Sequence, residues 1–188
     1  MKNKSYTTIG ILFHLIRVVN RKSRNKFSTL RWRLEGVTLG NNSTIERNVI
    51  INAPKKVIIG DNSHIRFGTV ITTEILGEGY LTVESNSNIN RNCRLDITGG
   101  IKIESNVTIS NDTIINTHSH GDHPKNKPIS SSIEIGERTW IGSNCNILSS
   151  VTKIEENCLI GTGAILTKNT EKNGVYIGFP AKYLRKRG

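Results

Sequence analysis

Large aliphatic residues recur every six positions along most of this chain, and few architectures accept that beat. They stand at Leu39, Ile45, Ile51 and Val57, at Ile59, Ile65 and Ile71, at Val83, Ile89, Leu95 and Ile101, and at Ile103, Ile109 and Ile115. They resume at Ile135, Ile141 and Ile147, and at Ile154, Ile160 and Leu166. Four residues after many of them sits a small residue: Ser43, Ser63, Thr69, Ser87, Thr113, Ala164. A helix repeats near 3.6 residues and a half-buried strand alternates every second one. A period of six instead describes a chain that turns a corner after each short strand. Three such faces close a triangular coil of roughly 18 residues, one turn of a solenoid.

The first aliphatics of successive triplets, at 39, 59, 83, 103, 135 and 154, are separated by 20, 24, 20, 32 and 19 residues. Most coils therefore stack with small corner insertions, and one carries a long loop between Ile115 and Ile135. An insertion must leave such a stack at a corner, because the core has no room for it. Long loops in compact domains are usually functional or disordered, and this one holds His118, His120 and His123. Lys153 is an extra residue against the beat, and the spacing predicts a bulge there.

Cys93, Cys145 and Cys158 each lie four after a beat aliphatic, in the small inward slot, which predicts buried, reduced thiols. An odd number of cysteines with no secretory signal before them argues against a disulfide framework and for a cytoplasmic chain.

Charge is concentrated at the ends. Residues 1–34 hold nine basic residues, Lys2 and Lys4 among them, and no acidic one, while the remainder carries 17 basic and 15 acidic residues. Lys182, Arg185, Lys186 and Arg187 close the chain. Ile9, Leu12, Phe13, Ile16 and Val19 fall at helical spacing beside Arg17, Arg21 and Arg24. His14 and Arg17 interrupt this run, which is too short for a span of about 20 apolar residues. A basic amphipathic helix suits peripheral contact with an anionic membrane, but the need of a terminal coil for a cap favours a helix that covers the open end of the solenoid or packs on a neighbouring subunit. Few aromatics interleave with the basic residues, so nucleic acid is not an expected partner.

In the C-terminal half, "IEIGERTWIGSNCNIL" (133–148) and "IGTGAILTKNTEKNGVYIGFPAKYLRKRG" (160–188) resemble the closing coils and tail of the hexapeptide-repeat acyltransferases. That resemblance implies an all-β fold, a left-handed parallel β-helix over 36–180, with a basic N-terminal helical segment at 1–35, a protruding loop at 117–132 and a short basic tail at 181–188. Within the superfamily the chain is most similar to the galactoside/maltose O-acetyltransferases and their capsule and O-antigen relatives. "IESNVTISNDTIINTHSHG" (103–121) aligns with the coil ending in their catalytic histidine, which falls on His120. "VESNSNINRNC" (83–93) matches the coil below, where an acceptor-contacting asparagine falls on Asn90.

The resemblance implies acetyl-CoA as donor, a sugar or glycan acceptor, and a homotrimer with active sites between neighbouring subunits. Ser143, Thr162, Thr167, Lys168 and Arg185 match positions that contact coenzyme A; Lys182 stands where some relatives have Arg. Trp140, expected to end the first face after the loop, matches a Trp that walls the acyl and acceptor site. His118 and His123 are expected to orient the base or line the acceptor pocket. Asn90 is expected to hold the acceptor or the oxyanion. An imidazole near neutrality suits removal of a hydroxyl proton as it attacks a thioester.

Thr117 to His123 also spell T-H-x-H-x-D-H, the dizinc signature of the metallo-β-lactamases. No histidine follows His123, and the six-residue beat is foreign to that αββα fold. No resident metal is expected, and an adventitious ion on His118, His120 and His123 is expected to inhibit. The expected function is O-acetylation of a sugar hydroxyl in surface polysaccharide biosynthesis. N-acylation of an amino sugar and a non-enzymatic binding solenoid are the alternatives.

Overall fold

Each step of the six-residue beat is a strand pair. In the computed structural model, which describes residues 8–75 and 77–188, Leu39 pairs with Ile59, Ile59 with Val83, Val83 with Ile103, Ile103 with Ile135 and Ile135 with Ile154, all in parallel. The second members of the triplets form a second ladder (45, 65, 89, 109, 141, 160). The third members form a third (51, 71, 95, 115, 147, 166). Three parallel sheets thus wrap one core, and the fold is the expected left-handed parallel β-helix. Nearly every beat aliphatic is fully buried, with Ile45, Ile109, Ile141 and Ile160 at 0% exposure. A single turn cannot bury its own inward side chains; stacking does it for all of them at once.

The small slots are polar and paired along the axis. Ser63 N–H donates to Ser43 Oγ (3.1 Å), Ser87 N–H to Ser63 Oγ (3.0 Å) and Val107 N–H to Ser87 Oγ (3.0 Å). The hydroxyls of Ser63 and Ser87 in turn donate to carbonyls of the next coil. In a parallel column Thr69, Cys93, Thr113 and Cys145 donate to carbonyls of the coil above. A buried backbone group without a partner costs roughly 1–3 kcal/mol, so these side chains let the chain turn sharply inside the core. All three cysteines are buried and free, and burial pushes the Cys93 thiol up to about 11.

At most corners the residue three after the beat aliphatic has positive φ. Asn42, Asn62, Asn86, Asn106, Asp112, Arg138 and Asn144 all lie between 54° and 62°. Asparagine tolerates this left-handed conformation better than most residues.

Lys153 does not bulge. It lies in register opposite Glu134 and its Nζ is 3.1 Å from Glu155, so the extra residue is taken up before it, where Val151 N–H bonds Leu148 O.

Both ends of the stack are covered. The helix Thr8–Leu34 lays its last turns on the first coil. There Thr29 Oγ1 accepts from Ile45 N–H, Ser28 Oγ donates to Glu46 O, Asn25 Oδ1 accepts from Arg47 N–H, and Trp32 is 2% exposed. Its earlier part leaves Ile11, Phe13, Leu15, Ile16 and Val19 exposed. Lys2 and Lys4 lie outside the described residues, as do the side chains of Ile9 and Leu12. No helix among the described residues is long and apolar enough to cross a membrane. At the other end Gly174–Ile177 adds to the second face, and Lys182–Lys186 turns back antiparallel along it.

Candidate active site

The long insertion leaves at the corner after the third face, directly beyond Ile115. It opens as a two-stranded antiparallel ladder, His118–Ser119 with Ile129–Ser130, pinned at its base by Ser131 N–H to Thr117 O (2.9 Å). This places His118 and His120 side by side outside the prism, ring centroids 5.3 Å apart and planes nearly perpendicular (88°).

Two residues that the spacing did not single out complete the cluster. Asp96 follows Leu95 on the third face, one coil below. Its Oδ2 accepts from Thr117 N–H (2.7 Å) and from His118 Nδ1–H (2.8 Å), and its Oδ1 from Thr98 N–H (3.1 Å) and the Thr98 hydroxyl (2.5 Å). Burial works against the charge of Asp96, but the hydrogen bonds from Thr98, Thr117 and His118 outweigh it and hold its pKa low. Glu74 comes from the smaller insertion that follows the third face a coil further down. Its N–H donates to Thr98 Oγ1 (3.0 Å), and the same segment is fixed by Asn52, which pairs both ways with the Thr73 backbone. The segment crosses Ile97 so closely that a Cβ on Gly79, whose φ is +73°, would lie 1.9 Å from Ile97 O. Only glycine fits that crossing.

Glu74 Oε2 stands 2.8 Å from His118 Nε2 and 3.2 Å from His120 Nε2. The Nδ1–H of His120 donates to Asn126 O at 2.6 Å. A carbonyl only accepts, so the proton of the neutral ring is fixed on Nδ1 and Nε2 carries the lone pair. The Asn126 carbonyl raises the His120 pKa above its ordinary value; desolvation opposes it and Glu74 adds to it. His123 does not join the cluster. It is exposed, its Nδ1 accepts from Lys125 N–H (3.2 Å), and it shapes the loop turn.

The remaining expected site residues divide between two corners of the prism. Thr167 and Lys168 follow the third face two coils above the histidine loop, at the same corner. Asn90, Ser143 and Thr162 lie at the other, after the second face. Asn90 Nδ2 donates to Ile109 O (3.0 Å), and its side chain lines a 350 Å³ cavity with Glu46, Arg66, Arg91 and Asn111. Trp140 opens the second face rather than ending the first, because the coil resumes on the first face at Ile133–Ile135. It stands outward, 48% exposed, with Nε1–H donating to Ser110 Oγ (2.9 Å). Arg185 is exposed on the tail strand and its guanidinium donates to Lys186 O (2.8 Å).

Three segments of the chain, 32–53, 132–168 and 151–178, match the hexapeptide repeat of succinyl-transferase. Those segments carry hexapeptide repeats. Among its curated relatives, the putative lipopolysaccharide biosynthesis O-acetyl transferase WbbJ of Escherichia coli (strain K12) is 24% identical over 68% of this chain and 74% of its own length. The galactoside O-acetyltransferase of the same organism is 28% identical over 79% of this chain, which spans 63% of that enzyme. Among solved structures, AntD, an N-acyltransferase from Bacillus cereus in complex with dTDP and 3-hydroxybutyryl-CoA, superposes with a TM-score of 0.75 at 20% identity. That match covers 86% of this chain and 89% of AntD. A hexapeptide transferase family protein from Anaplasma phagocytophilum gives 0.55 at 20% identity, over 82% and 86%. The chain therefore shares its fold with these proteins, and its own corner loops carry whatever is particular to it.

Proposed function

We propose that this protein is an acetyl-CoA-dependent O-acetyltransferase acting on a sugar or glycan hydroxyl, with His120 as general base. The observation that carries the reading is the His120 Nδ1–H bond to Asn126 O, which leaves the proton-accepting lone pair on Nε2, beside the Glu74 carboxylate. The acceptor hydroxyl gives its proton to Nε2 as its oxygen attacks the thioester carbonyl. The tetrahedral intermediate collapses, the carbon–sulfur bond breaks, and the imidazolium returns the proton to the departing thiolate. Glu74 stabilises the imidazolium, and Asp96 orients the neighbouring His118 through its Nδ1.

The division of the site between two corners supports a shared one. The histidine corner of one chain would meet the Asn90, Trp140, Ser143 and Thr162 corner of the next in a homotrimer, with Thr167, Lys168 and Arg185 flanking the coenzyme A. His123 lines the acceptor entrance. WbbJ supports a role in surface polysaccharide biosynthesis. The exposed apolar and basic residues of the outer helix suit peripheral attachment of a cytoplasmic enzyme to an anionic membrane.

The test is acetyl-CoA turnover against a panel of nucleotide sugars and oligosaccharides, with His120→Ala alongside. A loss of about 10²–10⁴-fold in kcat/KM with coenzyme A affinity retained supports the base; unchanged turnover sinks it. AntD makes N-acylation the second reading, and paired hydroxyl and amino acceptors decide between the two. For the membrane, the full chain and one beginning at residue 24 are co-sedimented with anionic vesicles. Equal partitioning counts against attachment.

A further inference from the structure

The histidine cluster turns three donor atoms toward one point. His118 gives its Nδ1 proton to Asp96 and His120 gives its own to the Asn126 carbonyl. The donor position left on each ring is Nε2. Both converge on Oε2 of Glu74, at 2.8 and 3.2 Å. Three such atoms aimed at one point are held together by a positive charge between them, either a shared proton or a metal ion.

We propose that Glu74, His118 and His120 form a three-ligand site for a divalent transition metal of the zinc class. The three donor atoms all lie within 4.8 Å of one another. Ligands about 2.0–2.2 Å from a tetrahedral ion stand roughly 3.3 Å apart, so small side-chain shifts admit the metal. The perpendicular rings bring the two Nε2 atoms in from different directions. The outer partners are those that metal-binding imidazoles use: a carboxylate on His118 Nδ1 and a backbone carbonyl on His120 Nδ1. Two imidazoles and one carboxylate, with no thiolate, favour zinc, cobalt, nickel or iron(II) over magnesium or calcium. Glu74 and His120 are 44% and 26% exposed, which leaves a path for the ion and a coordination position toward solvent. The ligand set differs from the one the sequence suggests, with Glu74 in place of His123.

Coordination occupies the lone pair that the proposed mechanism gives to the acceptor, so metal and acceptor compete for His120. Metal binding itself does not depend on that mechanism. The full chain is stripped with a chelator and titrated with Co²⁺, reading visible absorption, and Zn²⁺ is then used to displace it. One equivalent per chain should produce the intense bands of low-coordinate cobalt. Affinity should fall at least tenfold in Glu74→Gln and in Asp96→Asn, collapse in His120→Gln, and stay unchanged in His123→Ala. Thermal melts of the metal-free variants check folding, and His120→Gln, on the exposed side, serves if Asp96→Asn unfolds. Weak octahedral bands indifferent to Glu74→Gln and His120→Gln overturn the site, as does binding lost in His123→Ala. Cobalt bands without any acetyl transfer would leave the metal site standing and remove the base; turnover that depends on His120, without such bands, does the reverse.

Discussion

The carboxylate of Asp96 gathers Thr98, Thr117 and His118 around it, and that gathering has a pH signature. A carboxyl held below its ordinary value contributes stability above its unfolded pKa of about 3.9, and that stability is lost as pH falls through the lower folded value. Asp96→Asn should therefore flatten the acid end of the melting curve below about pH 4, as read by calorimetry across pH. His120 has the opposite sign. Its raised pKa means that the stability from its contacts is complete below about 6.5 and is lost as pH rises through the folded value. The neutral base is then the major form only at higher pH. In chelator-treated enzyme the acid limb of kcat/KM should lie above pH 6.5 and move down in Glu74→Gln. At this scale the imidazoles were plain in the sequence, since Thr117 to His123 stand together, whereas Asp96 and Glu74 meet them from 22 and 46 residues upstream. Sequence spacing carries no sign of a pairing made by stacking insertions at one corner.

Corners and faces obey different rules. The faces were legible strand for strand, because a period of six with a buried aliphatic admits one register, and the three cysteines fell in their slots for the same reason. The left-handed asparagine column stands in the sequence too, three residues after most beat aliphatics of the first two faces, where turn chemistry rather than hydrophobic period marks it. Arg138 breaks that column, at φ 59°. A side chain other than Asn or Gly costs about 1 kcal/mol there, and its ion pairs to Glu137 and Glu156 are exposed and worth little. Arg138→Asn should raise Tm by roughly 1–3 °C in a melt. Lys153 and Trp140 show the reverse difficulty, since a shift of one residue inside a corner moves a side chain off its expected place without disturbing the ladder on either side. The same independence predicts that replacing residues 120–127 by a short turn leaves Tm within about 2 °C while abolishing turnover.

At the scale of the molecule, His120 and Asn90 occupy different corners, so the shared site proposed above predicts that activity can be split and rebuilt. Chains carrying His120→Ala and chains carrying Asn90→Ala should each be inactive. Unfolded together and refolded as mixed oligomers, they should recover on the order of a quarter of the sites, because a heterologous interface takes one corner from each neighbour. No recovery in verified mixed oligomers would place both residues in one chain's site.

A stack of parallel strands has no natural last rung: each terminal coil offers unpaired N–H and C=O groups to any other strand. The docked helix turns and the reversed tail strand close those two ends by unrelated means. A chain stripped of either would carry a sticky face matched to its own repeat, so the same regularity that makes the prism easy to build would let it grow into a filament.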